Sequence, residues 1–138
     1  MSDPTMFSSL SYDDAPAAIE FLCDAFGFER HAVYTNDDGT ILHAELSYGN
    51  GAVMLGSASA NKPATRGRAG GIYVVVEDPD AHCAQARAAG AEVMRDLNDT
   101  EYGSREYGAK DPEGNTWSFG TYQPFTFDHA AEQAKATA

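Results

Sequence analysis

The residues best suited to chemistry in this chain are a histidine and two glutamates. His43 and Glu45 stand two positions apart in the segment 41–48, where polar and apolar residues alternate as in a half-buried strand. Side chains at that spacing project from one face of the strand. The pair can therefore act as an acid and a base, or hold a metal together with Glu106, which occupies the position of His43 in an internal repeat. The alternative is a polar sheet face on which His43 bonds to a neighbour.

The remaining histidines and the cysteines carry less chemical information. His31, His82 and His129 are expected at the surface. The neighbours His82 and Cys83 are not expected to form a nucleophilic pair, because the sequence places no orienting acid for them. The two cysteines, Cys23 and Cys83, lie far apart and outside any Cys-x-x-Cys spacing, which excludes a disulfide framework and a zinc site.

Size and charge narrow the class of protein. A chain of 138 residues with 43% hydrophobic residues suffices for one domain with a core. Its net charge of −12 repels phosphate backbones and anionic membranes, so neither nucleic acid nor membrane is an expected partner. The N-terminus carries no signal-peptide pattern, and a cytoplasmic location is expected by default.

The first half of the chain predicts a strand, a helix and three further strands. Residues 7–12 form the first strand. Asp13, Asp14 and Pro16 are typical of a helix start, and Gly27 ends that helix. Three strands joined by Asp-Gly and Asn-Gly turns follow at 31–35, 41–48 and 52–55.

The second half repeats this order. A strand at 72–76 precedes a helix that starts at Asp78-Pro79 and ends at Gly90, and strands follow at 92–97, 105–110 and 115–122. Helix-opening prolines, helix-closing glycines and hairpin glycines recur 63 positions apart, in the pairs Pro16 and Pro79, Gly27 and Gly90, and Gly51 and Gly114. Each of these residues marks a backbone event, so their recurrence in step indicates a duplicated unit. We predict one α+β domain, with a βαβββ module at 5–58, a linker at 59–69, a second module at 70–122 and a tail at 123–138 that Phe125 and Phe127 anchor.

A chain with this order resembles the vicinal-oxygen-chelate superfamily of glyoxalase I, extradiol dioxygenases, fosfomycin-resistance enzymes and bleomycin-resistance proteins. The likeness rests on the stretch 102–108, on the turn Asp111-Pro112-Glu113-Gly114 into the last strand, and on the first helix with Phe26-Gly27-Phe28. It implies two βαβββ modules that form a curved mixed sheet around a cleft, with helices on the outer face. Trp117 is expected in the core.

The same resemblance implies a divalent metal held by one residue from the first and last strand of each module. Carried over by the helix glycines and hairpin turns, these positions fall on Phe7, Leu55, Gly71 and Ser118. The first three side chains cannot ligate a cation, and a lone serine is a poor ligand. We therefore expect no metal and no cofactor, and binding rather than catalysis.

The metal-free bleomycin-resistance proteins of that superfamily imply a homodimer that sequesters a small organic molecule in its cleft. An aromatic or cationic ligand suits the acidic surface. The predicted cleft residues are Phe7, Ser9, His43, Glu45, Leu55, Tyr73, Glu106 and Ser118. Two alternatives remain: a lyase or isomerase that uses a relocated metal or His43 and Glu45, and an interaction module with a filled cleft.

Overall fold

The computed structural model describes residues 3–68, 70–131 and 134. The order strand, helix, three strands occurs twice, as predicted. The elements are β1 (Ser8–Tyr12), α1 (Ala15–Phe26), β2 (Glu29–Thr35), β3 (Ile41–Tyr48), β4 (Gly51–Ser57), β5 (Ile72–Val75), α2 (Pro79–Ala88), β6 (Glu92–Asp99), β7 (Arg105–Lys110) and β8 (Thr116–Gly120).

The strands form two four-stranded sheets of the same topology. Their orders are β1-β4-β3-β2 and β5-β8-β7-β6. In each sheet the first and last strands of the module pair in parallel, and the other neighbours pair antiparallel. The predicted α+β class and the duplication are confirmed.

Both helices begin in the same way. The side chains of Asp14 and Asp78 each accept a hydrogen bond of 3.1 Å from the backbone N–H three residues later, which satisfies one free donor of the first turn. These caps stand 64 positions apart, whereas Gly27 and Gly90, which follow the helices at positive φ, stand 63 apart. The repeat therefore shifts by one residue within the helical region.

The two modules share one core on the helix side of the sheets. The two helices pack against each other. The ring of Phe26 at the end of α1 lies 5.6 Å from Trp117 and 4.8 Å from Phe119, both on β8. Trp117 is fully buried, which confirms its predicted place in the core. Neither helix in the described part of the chain, at 12 and 10 residues, is long and apolar enough to cross a membrane.

A buried carboxylate joins the modules beside this core. Oδ2 of Asp111 accepts hydrogen bonds from Tyr12 Oη at 2.6 Å, Asn115 Nδ2 at 3.1 Å and Trp117 Nε1 at 3.2 Å. Burial, together with the charge of Asp111, raises the pKa of Tyr12 far above its usual range, so its hydroxyl remains a donor. Nearby, the Glu113 carboxylate accepts the backbone N–H groups of Asp13 and Asp14, at 2.7 and 2.8 Å. The turn of module two thus holds the end of β1 and the start of α1.

His82 belongs to the module junction, and the expectation that it lies at the surface is wrong. Its Nε2–H donates to the carbonyl of Phe26 at 2.7 Å, and its Nδ1 lies 2.5 Å from the hydroxyl of Tyr107. A carbonyl only accepts, so the neutral ring carries its proton on Nε2 and accepts from Tyr107. Burial lowers the pKa of His82, which favours this neutral form.

Candidate functional site

Each sheet has a second face that points away from the helices, and we call it the open face of its module. In module one, Leu10, Ala44 and Leu55 share a register position on the buried side. One residue along, Ser9, Glu45 and Met54 share a position on the open face. Strand alternation thus exposes a different set of side chains from the one that forms the core.

Two histidines and a glutamate meet on the open face of module one. His43 Nε2 lies 2.9 Å from Glu45 Oε2, and His31 Nε2 lies 4.0 Å from the other carboxylate oxygen. The ring of Tyr34 is stacked on that of His43, with centroids 6.3 Å apart. His31 stands at a bulge between β2 and β3, which explains how it reaches a residue of the neighbouring strand.

A concavity of about 630 Å³ opens beside this cluster. Phe7 and Met54 supply apolar area, while His31 and Glu45 supply polar groups. The rest of its lining comes from Asp3, Pro4, Ser47 and residues 49–52. Its size and mixed lining are those of a small-molecule site.

A second concavity, of about 600 Å³, lies between the modules. Met6, Ser8 and the turn between β3 and β4 line one side, and β5 with Tyr73 lines the other. Residues 49–52 line both concavities, so the two adjoin. Tyr73 of module two lines the second concavity, whereas Phe7 and Glu45 line the first.

Leu55 is not a cleft residue, which corrects its predicted place. Only 2% of its surface is exposed, and it packs in the core. Met54 faces the concavity instead. Leu55 and Phe119 are both buried in the core, and the residues before them, Met54 and Ser118, lie opposite Ser9 and Tyr73 in the parallel pairs. Met54 is therefore the equivalent of Ser118, which stands 64 positions later. The offset of 63 carried the prediction one residue too far, and one residue in a strand exchanges the two faces.

The open face of module two carries the other predicted residues. Ser118 lies between Tyr73 and Gly108 in the sheet. The carboxylate of Glu106 accepts hydrogen bonds from Ser104 Oγ at 3.0 Å and Tyr102 Oη at 3.4 Å. Burial raises the pKa of Tyr73, and the nearby charge of Glu106 raises it further.

The predicted residues therefore form two groups rather than one. Phe7 and Glu45 line one concavity, with His43 bonded to Glu45, whereas Glu106 and Ser118 belong to the other sheet. Among the residues that the structure describes, no hydrogen bond or ion pair links the two groups. Sequence reasoning missed Met54, His31 and Tyr34. The signal for Met54 lay in the hairpins, because Gly51 begins β4 whereas Gly114 precedes β8, so the two glycines are not equivalent.

The side chains at the implied metal positions do not fit a divalent ion. On the open faces these positions hold Phe7, Met54, Gly71 and Ser118, none of which is a carboxylate or imidazole. Within residues 3–68, 70–131 and 134, no group of three or more His, Cys, Asp or Glu side chains has the arrangement to hold a metal.

A sequence profile of the Glyoxalase/Bleomycin resistance protein/Dioxygenase superfamily matches residues 5–119. An uncharacterized protein of Mycobacterium bovis is 32% identical over 126 residues, which cover 86% of this chain and 83% of that protein. The crystal structure of TioX from Micromonospora sp. ML1 is similar with a TM-score of 0.70 at 34% identity, over 85% of this chain and 94% of TioX.

A more distant likeness shows the fold alone. TnmS3, described as an antibiotic binding protein from Streptomyces sp. CB03234, is similar with a TM-score of 0.66 at 18% identity. The match covers 86% of this chain and 97% of TnmS3.

Proposed function

The chain belongs to the Glyoxalase/Bleomycin resistance protein/Dioxygenase superfamily, and we propose that it binds a small organic molecule without a metal. The binding surface is the open face of module one together with the adjoining concavity between the modules. The mechanism is sequestration: the ligand is held and released unchanged.

One observation carries this proposal: apolar and polar side chains line two concavities that share residues 49–52. Phe7 and Met54 offer contact area at one end, and Tyr73 offers a ring at the other. Beside Phe7 and Met54, Glu45 supplies an acceptor whose position is fixed by His43 at 2.9 Å. A few oriented polar groups within a mostly apolar concavity give both affinity and orientation.

The charge and the donor set indicate the class of ligand. A net charge of −12 favours a neutral or cationic molecule over an anionic one, and the rings of Phe7 and Tyr73 favour a planar aromatic group. TnmS3, of the same fold, is described as an antibiotic binding protein, which supports sequestration of a drug or metabolite. Ser9, Glu106 and Ser118 extend the proposed surface, and a cytoplasmic location remains a prediction.

A homodimer is part of the proposal. Within the described part of the chain, the outermost strands of the two sheets present unpaired edges, and β2 is exposed along most of its length. Pairing or covering such edges with a second copy protects them. Light scattering on a sizing column tests this, and a monomer mass at micromolar concentration would contradict it.

A thermal-shift screen tests the binding function. Aromatic amines, aromatic metabolites and divalent metals are each added to the protein, and a ligand at 100 times its dissociation constant stabilises it by about 2.7 kcal/mol. Phe7→Ala and Glu45→Gln should abolish the shift produced by a hit. Phe125→Ala and Glu20→Gln, at exposed positions that line neither concavity, serve as matched controls. A hit whose shift survives both site variants would exclude this surface.

The 2.9 Å contact between His43 and Glu45 also favours a second candidate, a lyase or isomerase. An imidazole held by a carboxylate can move a proton at a bound substrate. If the protein converts a hit compound, and this turnover is lost in His43→Gln and retained in His31→Gln, catalysis would replace sequestration as the function. Stoichiometric metal in the purified protein that is lost in His43→Ala would do the same.

A further inference from the structure

The chain beyond β8 turns back along module two. We call residues 122–129 the strap. The backbone N–H of Tyr122 donates to Ser104 Oγ at 3.0 Å, and Tyr73 Oη donates to the carbonyl of Tyr122 at 3.0 Å. Ser104 also bonds to Glu106. The start of the strap is thus attached to a predicted binding residue, Tyr73, and to a neighbour of another, Glu106.

Aromatic contacts hold the rest of the strap in place. The ring of Tyr122 lies 5.4 Å from Tyr102 and 6.4 Å from Tyr73. The ring of Phe127 lies 5.2 Å from Tyr122 and 6.1 Å from Tyr102. Phe125, two residues before Phe127, is 97% exposed. Of the two phenylalanines predicted to anchor the tail, Phe127 therefore does so and Phe125 does not.

The strap also borders the proposed binding surface. Gln123 lines the concavity between the modules, opposite the turn between β3 and β4. Gly120, at the end of β8, shows how closely the neighbouring side chains approach. A Cβ placed on Gly120 would lie 2.5 Å from Cγ of Glu106 and 2.8 Å from Oη of Tyr73. The side chains of Glu106 and Tyr73 therefore cross closely above β8, beside Tyr122.

We propose that the strap is a reversible cover that competes with the ligand for the module-two end of the binding surface. When it is closed, Tyr73 is engaged by Tyr122. When it opens, the Tyr73 hydroxyl and the side of its ring that contacts Tyr122 become available to a ligand that already contacts Phe7 and Glu45. This inference rests on the proposed function and adds a control on access to the same site.

The packing of the strap allows opening at low cost. Most of its residues are exposed. The named contacts that hold it are two hydrogen bonds between the Tyr122 backbone and the side chains of Ser104 and Tyr73, and a few rings at the surface. Segments with few buried contacts open locally without global unfolding. A ligand that needs the open state loses apparent affinity in proportion to the closed fraction, and a strap closed nine-tenths of the time lowers it about tenfold.

The experiment compares Phe127→Ala with Phe125→Ala in the full chain. The two variants remove the same ring from the same segment, but only Phe127 contacts Tyr102 and Tyr122. Hydrogen exchange reports the amides of residues 121–131, and titration with the neutral aromatic dye Nile red reports binding. Phe127→Ala should speed exchange of the Tyr122 amide and tighten dye binding by about 3- to 10-fold, whereas Phe125→Ala should match the wild type. Tyr73→Phe, which loses one bond to the strap, provides an intermediate case.

The outcomes separate this inference from the proposed function. Dye affinities of Phe127→Ala and Phe125→Ala within twofold of each other overturn the cover, whatever the exchange rates. Phe7→Ala probes the proposed function in the same titration. If Phe7→Ala leaves binding unchanged while Phe127→Ala tightens it, the cover stands and the module-one surface is excluded.

Discussion

Removing one hydroxyl, with Tyr12→Phe, tests whether the buried Asp111 carboxylate holds the modules together. The Tyr12 hydroxyl donates to Asp111 at 2.6 Å, across 99 positions of sequence. A hydrogen bond to a charged group contributes about 1.5–3 kcal/mol. Asn115 and Trp117 still donate to the same oxygen in the variant, so the charge keeps partners. We expect a loss of about 2 kcal/mol in the free energy of unfolding.

The corresponding change in melting temperature follows from the length of the chain. Globular proteins gain about 2.1 cal/mol/K of unfolding entropy per residue, so a loss of 2 kcal/mol corresponds to a drop of about 7 °C for a chain of this size. The assay is urea unfolding followed by the fluorescence of Trp117, the single tryptophan, at fixed protein concentration.

Tyr34→Phe is the matched control, because the Tyr34 side chain is exposed on β2. It should lie within about 0.5 kcal/mol of the wild type. If Tyr12→Phe is equally neutral at an unchanged m-value, the Asp111 contact does not hold the junction.

Three further variants test single contacts. Burial lowers the pKa of His82 below its unfolded value of about 6.5, so protonation favours the unfolded chain. The free energy of unfolding should therefore fall as the pH drops below that value. His82→Gln should flatten the pH dependence of the urea midpoint. Gly120→Ala should cost about 1–3 kcal/mol by overpacking, whereas Gly51→Ala, with its nearest atom at 3.6 Å, should be near neutral in the same melts. Asp14→Ala should cost about 1 kcal/mol through the lost helix cap, and circular dichroism melts that show no loss would refute that role.

The sequence predicted the elements well because their limits are local events. A capping aspartate, a helix-closing glycine or an Asn-Gly turn acts within a few residues of itself, and all of these patterns are visible in one chain. The limits of β3 and β7 agree with the prediction to the residue. The repeat was visible for the same reason, since Gly27 and Gly90 mark the same backbone event.

The candidate site was harder to predict, because the face of a strand depends on a single residue of register. The proline and glycine pairs gave an offset of 63, but Gly51 already lies in β4, paired with Tyr48, whereas Gly114 lies in the turn before β8. That difference moved Leu55 onto the wrong face in place of Met54. His82 was misplaced for another reason: its partners, Phe26 and Tyr107, come from two other elements, and local patterning carries no information about them.

The contact between Tyr12 and Asp111 also has a consequence for the order of folding. Within each module, strands and helix are neighbours in sequence, so their contacts close short loops. The junction instead joins residues about 100 positions apart, at Tyr12 to Asp111 and at Asp13 to Glu113. Closing so long a loop is entropically costly until both ends are ordered. We therefore expect the junction to form after the rate-limiting barrier, so that Tyr12→Phe accelerates unfolding and leaves the folding rate nearly unchanged.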